Sequence, residues 1–413
     1  MSAPEKTTDE AGEQGWDLSF SAVELKESAS LGGDVRLDLA PRTTVLVGKN
    51  GAGKSVLLEK MYAGIWAAVG ADQNAAPDPA HLACEVDVEA QHLTADPIKL
   101  RYECHWRPRE EERENAGMAA RSVNPEADLK VEESCSILGD VNQLHWHVDD
   151  GVLTYNDGKR GEIAAGRTLL NWTINRGRRG FLFPRMAHPL RELFWGVILV
   201  PAGIPRGDGE REELALPYPE SNRVRHAMET RRLRWMAYSL VDWHQTDLER
   251  FNEFVELGRR IGLLDDVKVK LYLDPESNRT ARSRDFATIL FDGTDFGLLS
   301  DGTLRVVEIL LWLIFPDIKL LLIEEPETAV HPGLLSKLLA EIDAYSTDRQ
   351  IVLTTQSPHV VSWADPLAIR LVERRAGRTS VRSLCEDEIG RVSAYLHDEG
   401  TLGDFVYSGA LDG

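Results

Sequence analysis

Eight consecutive residues, Gly48-Lys49-Asn50-Gly51-Ala52-Gly53-Lys54-Ser55, fill every fixed position of the G-x-x-x-x-G-K-[ST] phosphate loop. Gly48, Gly51 and Gly53, with the small Ala52 between them, let the backbone curl. The N–H groups from Asn50 to Lys54 then point at phosphate oxygens, helped by the positive end of the helix that follows. Lys54 brings charge to the β and γ phosphates, and Ser55 offers a hydroxyl to Mg²⁺. The competing account, a glycine turn that merely caps a helix, is outweighed by the complete octet in its strand–loop–helix setting. Binding of a nucleoside triphosphate, ATP or GTP, is the chemistry these residues predict.

Two further stretches carry candidate groups. Leu320-Leu321-Leu322-Ile323-Glu324-Glu325-Pro326 reads as a buried strand ending in two carboxylates, a Walker B arrangement. Glu324 suits the metal, reached through water, and Glu325 suits the attacking water, because a general base must lie within hydrogen-bond reach of its nucleophile. Leu299-Ser300-Asp301-Gly302-Thr303-Leu304-Arg305 opens an apolar helix. Ser300 is an N-cap there, and such a helix start is also an anion site.

The elements that must hold these groups can be read from periodicity. Strands are expected at Leu18–Leu25, Val35–Leu39 and Thr43–Val47, then a helix from Ser55 to Trp66 with Leu57, Leu58, Met61 and Ile65 on one face. Weaker strand signals lie at Cys84–Val88, Ile98–Cys104 and Leu144–Val148, and a polar interruption at Arg107–Glu133. A helical stretch is expected over Arg223–Leu263, with Leu248, Phe251, Val255 and Ile261 on its apolar stripe. It lacks the heptads of a long coiled-coil arm. From Val267 onward strands and helices alternate, ending with a strand at Ile351–Thr354, which predicts a mostly parallel sheet covered by helices. The expected organisation is a tail (1–16), an ATPase head in two pieces (17–66 and 285–413) and an inserted α+β region (67–284).

The 413 residues carry 47 Lys plus Arg against 67 Asp plus Glu, a formal charge of -20, so polyanions are repelled at long range and nucleic-acid contact must be local. The N-terminal stretch lacks an apolar signal core and no apolar run reaches membrane length, so a cytoplasmic protein without membrane contact is expected. Cys84, Cys104, Cys135 and Cys385 are scattered and form no C-x-x-C pair, which speaks against a disulfide framework or a zinc site.

Gly48–Ser55, Leu299-Ser300-Asp301-Gly302-Thr303, Glu324-Glu325-Pro326-Glu327 with His331-Pro332, and Thr354-Thr355-Gln356-Ser357-Pro358 together resemble the ABC-class ATPases of the RecF, SMC and OLD type. The nearest likeness is to the stand-alone bacterial AAA-type ATPases. The resemblance covers the first 65 or so residues and the last third, and implies a P-loop ABC-type head with ATP and Mg²⁺ as ligands. It further implies a head-to-tail homodimer in which Lys54, Ser55, Glu324 and Glu325 act in cis. Ser300 and Gly302 would meet the partner's γ-phosphate in trans, with Arg305 as a helper. Closure on ATP and opening on hydrolysis would drive a separate effector or a nucleic-acid partner, in phage defence or DNA maintenance.

Three departures from the family pattern matter. Asp301 stands where transporters have a second glycine, Glu324 replaces the usual Asp, and Gln356 stands where many relatives have a switch histidine. An amide can hydrogen-bond a phosphate but cannot carry a proton. Slow turnover is implied, and with it a second reading: a scaffold or sensor that retains its nucleotide. OLD-type nucleases continue into a further domain of roughly a hundred residues, so nuclease activity is not expected here, and Glu386-Asp387-Glu388 reads as a solvated turn.

Two arginine clusters are candidates for nucleic-acid contact and equally for pairing with surplus carboxylates: Arg176, Arg178, Arg179 and Arg185, and Arg223, Arg225, Arg231, Arg232 and Arg234 near Trp235. His145 and His147 share one side of a strand but lack a third ligand. Gln73 and Gln91 are candidates for the Q-loop glutamine by order along the chain.

Overall fold

A computed structural model of the chain describes residues 16–69, 78–90, 98–108, 129–138, 143–163, 167–172, 187–203, 232–272 and 286–389. In chain order its strands begin with β1 (Trp16–Ser28), β2 (Gly33–Asp38), β3 (Thr43–Val47), β4 (His81–Ala90), β5 (Ile98–Pro108) and β6 (Leu129–Leu138). They continue with β7 (Gln143–Asp149), β8 (Val152–Tyr155), β9 (Arg160–Glu162), β10 (Val197–Val200), β11 (Val267–Tyr272) and β12 (Phe286–Phe291). The last are β13 (Thr294–Asp295), β14 (Leu320–Glu324), β15 (Gln350–Thr355), β16 (Ile369–Arg375) and β17 (Arg378–Ser383). The contacts divide the chain into two units, one spanning 1–29, 33–41 and 63–195, the other 30–32, 42–62 and 196–413. β1 and β2 belong to the first unit, and the stretch from 196 onward to the second.

The first unit holds an eight-stranded sheet in the order β2-β1-β4-β5-β6-β7-β8-β9, with every neighbour antiparallel. Its strands alternate, as strands with one covered face must. Along β5, Tyr102, Cys104 and Trp106 are buried while Arg101, Glu103 and His105 reach the other face. The helix Ala187–Trp195 brings Phe194 against the rings of Phe20 and Tyr102, with centroids 5.4 and 5.0 Å away. On the open face Arg36 and Arg101 both bridge Glu24 and Glu85. The polar interruption expected at Arg107–Glu133 is narrower than its charge suggests, since β5 runs to Pro108 and β6 starts at Leu129; residues 109–128 lie outside the described residues.

The second unit is built the other way. Its main sheet runs β10-β14-β15-β3-β16-β17, parallel throughout except for the final antiparallel hairpin. The buried runs Leu320-Leu321-Leu322-Ile323 and Ile351-Val352-Leu353 do not alternate, because both faces of such a sheet are covered. The helix Asp301–Ile314 is buried at every position from Leu304 to its end, as an all-round apolar helix must be. Trp312 on it stacks on Trp235 of the helix Arg232–Thr246 at 4.1 Å. The helix expected over Arg223–Leu263 is, in its described part, two helices: the second, Leu248–Ile261, is capped by Asp247, whose side chain accepts from the Arg250 N–H, and ends at Gly262 with φ 77°. Phe251, Val255 and Ile261 are buried, but Leu248 is exposed, because it sits at the helix's first turn rather than on its packed stripe. No helix among the described residues is long and apolar enough to cross a membrane.

Candidate functional site

Parallel pairing brings three strand ends to one edge of the second sheet. Val47 is registered beside Thr355, and Glu324 beside Thr354. The phosphate loop leaves β3, the Glu324–Glu325 pair ends β14, and Gln356 follows β15. Adjacent strands are roughly 4.8 Å apart, so Val47 and Thr355, from opposite ends of the chain, become neighbours.

The loop backbone takes the shape its glycines allow. Gly51 and Gly53 have φ of 77° and 98°, the left-handed region that favours glycine. The helix Lys54–Val69 starts directly after, with the Leu57 N–H on the Gly53 carbonyl at 2.8 Å. Two glycines have a second reason. A Cβ on Gly48 would lie 2.3 Å from the Val372 carbonyl oxygen, and one on Gly53 would lie 2.7 Å from Thr379 Oγ1. The β16–β17 hairpin thus packs directly on the loop, and sequence reading, which assigned these glycines to phosphate alone, missed it.

Lys54 is buried, and its Nζ donates to the carbonyls of Gly48 at 2.7 Å and Lys49 at 3.3 Å. Burial lowers its pKa, while the charges of Glu325 and Glu327 oppose the shift. Asn50 and Ser55 are exposed, and Ala52 is buried.

The carboxylates are not equivalent. Glu324 is buried, and its Oε2 accepts from the Ala202 N–H at 3.0 Å. Glu325 has φ 40° and donates its N–H to the Thr354 carbonyl and hydroxyl. That turn aims its carboxylate at Gln356, whose Nε2 donates to Oε1 at 2.5 Å, while Thr328 Oγ1 donates to Oε2 at 3.3 Å. Lys54, Glu325 and Gln356, separate in the sequence, therefore share one polar cluster.

Ser300 and Gly302 sit apart from this cluster's hydrogen bonds. Ser300 caps the helix Asp301–Ile314, its Oγ accepting from the Thr303 N–H at 3.1 Å, and it is exposed. A Cβ on Gly302 would lie 2.0 Å from the Ala329 carbonyl oxygen, so this glycine is required by packing within the chain. The expectation for Arg305 is corrected. It is 1% exposed, and its guanidinium donates to the carbonyls of Pro201, Val200 and Glu324. Burial pulls its pKa down to about 10, with Glu308 opposing. A side chain so enclosed cannot serve a partner's phosphate; the helix turns that face inward.

Arg232 takes the second of the two roles left open for its cluster, pairing with a carboxylate. Its Nε donates to Glu308 Oε1 at 2.7 Å and its Nη2 to Oε2, with both side chains buried. With Trp235 stacked on Trp312, Arg232 belongs to the core, while Arg234 is half-buried. Arg176, Arg178, Arg179, Arg185, Arg223, Arg225 and Arg231 lie outside the described residues, as do Gln73 and Gln91. In β7, Trp146 is buried between His145 and His147, and no group of three or more His, Cys, Asp or Glu with metal-site geometry exists among the described residues. Glu388 is a structural partner, receiving two hydrogen bonds from Arg382 and one from the Cys385 N–H.

Comparison with known families matches residues 210–362 to the family described as "AAA domain, putative AbiEii toxin, Type IV TA system". The match takes in the signature, the Walker B strand and Gln356 but begins after the phosphate loop. It agrees with the resemblance to AAA-type ATPases that the motifs suggest. No curated protein matches the chain. Among solved structures the chain is similar to an SMC head bound to the C-terminal winged-helix domain of ScpA, at 14% identity and TM-score 0.43, covering 90% of this chain and 99% of that one. It is also similar to the SMC head domain from Thermotoga maritima, at 15% identity and TM-score 0.41, covering 89% and 99%. A third similar structure is an SMC head with an extended coiled coil, bound to the C-terminal domain of ScpA derived from Pyrococcus furiosus, at 13% identity and TM-score 0.44, covering 92% and 100%.

Proposed function

We propose that the chain is an ABC-class ATPase that binds ATP with Mg²⁺, hydrolyses it, and uses ATP-driven head-to-tail dimerisation to control an effector. The observation that carries this reading is the meeting of Lys54, Glu325 and Gln356 at the joined ends of β3, β14 and β15. Asn50, Gly51, Ala52 and Gly53 supply backbone donors at the start of the helix, and Lys54 supplies charge. The fit to a triphosphate is seen in Lys54 itself: a buried ammonium resting on two loop carbonyls lacks, among the described residues, an anionic partner of full charge at bonding distance. Ser55 and Glu324 would hold Mg²⁺, which when bound neutralises charge on the phosphates. Glu325 takes the proton of the attacking water, and Gln356 orients that carboxylate. Ser300 and Gly302 present a helix N-terminus to the nucleotide of a second copy.

Phage defence or DNA maintenance is the setting we assign, supported by the toxin-system description of the matched family. Nucleic acid enters as a candidate activator, read as a salt-sensitive rise in turnover. Turnover and solution mass, measured together with ATP and Mg²⁺, test the engine. Glu325→Gln is expected to lower turnover by about 10²- to 10⁴-fold and to accumulate as a larger ATP-bound species; unchanged turnover removes Glu325 from the role of base. Ser300→Arg is expected to abolish cooperative hydrolysis and leave nucleotide binding intact, and loss of binding itself would sink the trans role.

One observation favours a second reading, an ATP-retaining scaffold. Both oxygens of Glu325 already accept hydrogen bonds, one from a neutral amide that cannot relay a proton. A sharp rise in turnover on Gln356→His would mark a site held slow by this residue; no change would remove that argument for the scaffold.

A further inference from the structure

Glu327 belongs to none of the roles above, yet it accepts two of the hydrogen bonds that join the two loops that carry them. One oxygen, Oε1, accepts from Thr355 Oγ1 at 2.6 Å and from the Gln356 N–H at 3.0 Å. Both donors lie on the end of β15, and Thr355 is fully buried. The other oxygen, Oε2, is buried with no hydrogen-bond partner among the described residues. A carboxylate held this way acts through the bonds of a single oxygen, and such charge-assisted bonds are short and directional.

The turn that carries Glu327 is itself rigid. Thr328 donates its N–H to the Glu325 carbonyl at 3.0 Å and Val330 to the Glu327 carbonyl at 3.1 Å, and Glu325 and Ala329 both have positive φ. Glu325 is tied to Thr354 by its N–H. The turn after β14 and the end of β15 are therefore pinned at two places, 325 to 354 and 327 to 355–356. The second pin fixes the backbone from which the Gln356 side chain reaches Glu325 Oε1. Without it the long Gln356 side chain would leave from a backbone free to shift, and a displacement of about 1 Å in a supporting group can cost about 10²-fold in rate.

We propose that Glu327 is a positioning residue that sets the Gln356 amide on the Glu325 carboxylate, and so sets the readiness of the hydrolytic site. This rests on the reading of Glu325 as the base. The test uses the full chain and two readouts. The first is the side-chain amide resonance of Gln356, identified by its loss in Gln356→Ala; the second is steady-state ATP turnover.

In Glu327→Ala the resonance is expected to move to the position of a free amide. Turnover is expected to fall by about 10- to 100-fold in kcat, with KM changed less than about twofold. Glu327→Gln keeps an acceptor oxygen and is expected to hold the resonance and most of kcat. The double variant Glu327→Ala with Gln356→Ala is expected to be no slower than Gln356→Ala alone, because both act through one contact. If Glu327→Ala does not fold, Glu327→Met, which fills the volume without an acceptor, replaces it. An unmoved Gln356 resonance, or losses that multiply in the double variant, overturns the proposal. Wild type that binds ATP without turning it over overturns the hydrolytic reading instead, and the resonance still decides the place of Glu327.

Discussion

The two units manage charge in opposite ways. In the second, Glu324 stands at the end of a parallel strand, Arg232, Arg305 and Glu308 are locked together within the core, and the central runs of β14 and β15 are apolar. In the first, Glu24, Arg36, Glu85 and Arg101 interlink across one face of an antiparallel sheet, and the carboxylate of Glu133 is fully enclosed on the other face. A charge at a strand end is aimed by the backbone that ends there. A charge on an open face is held mainly by its neighbours and by water. The first arrangement makes a site, and the second makes a surface.

The comparison is broken most forcefully at Glu308. This carboxylate receives two bonds from Arg232 and lies 3.7 Å from Arg305, with all three side chains buried. Glu308→Ala strands two guanidiniums away from water, and removing one partner of a buried pair costs about 3–5 kcal/mol. A fall of that size in unfolding free energy is expected in denaturant titration. A change under about 1 kcal/mol would show that the group behaves as a surface charge.

Glu133 sharpens the contrast from the other unit. Burial raises its pKa to about 7, although the Leu169 N–H on its Oε2 works against the shift. The folded pKa lies above the unfolded value of 4.5. Stability is therefore complete below pH 4.5 and is lost as pH rises to about 7, with a cost on the order of 3 kcal/mol beyond it. Glu133→Gln is expected to raise the unfolding midpoint at pH 8 and leave it nearly unchanged at pH 4. Equal effects at both values would mean that the carboxyl is not titrating in that window.

The same contrast explains what could be read in the sequence. The glycine loop between β3 and its helix, the strand ending in Glu324 and the helix capped by Ser300 were legible as elements because local spacing alone defines them. Arg305 and Arg232 were not, because which face of a helix turns inward is settled by tertiary packing. Spacing did hold a hint, since Arg232, Trp235 and Met236 fall at i, i+3 and i+4 on one helix face. The β16–β17 hairpin was missed behind its charges, although Gly377 between two β-branched runs is a turn signal; the turn residues Ala376 and Gly377 have φ of 49° and 82°. Glu327 escaped because its partners are 28 and 29 residues away, and only the pairing of β14 with β15 brings them close.

The smallest effect belongs to the open face. Burial raises the Glu24 pKa, but hydrogen bonds from Arg101 and Arg36 outweigh it and hold the group down at about 2. A folded pKa below the unfolded 4.5 means that stability is present above pH 4.5 and drains away as pH falls toward 2. The shift does not convert in full, because Arg36 is well exposed and salt screens such pairs. Glu24→Gln should therefore cost about 1 kcal/mol or less at pH 7, less again in 0.5 M salt, and nothing near pH 2. A salt-insensitive loss of several kcal/mol would place Glu24 with Glu308, among charges whose energy comes from enclosure, and the division between the two units would fail there.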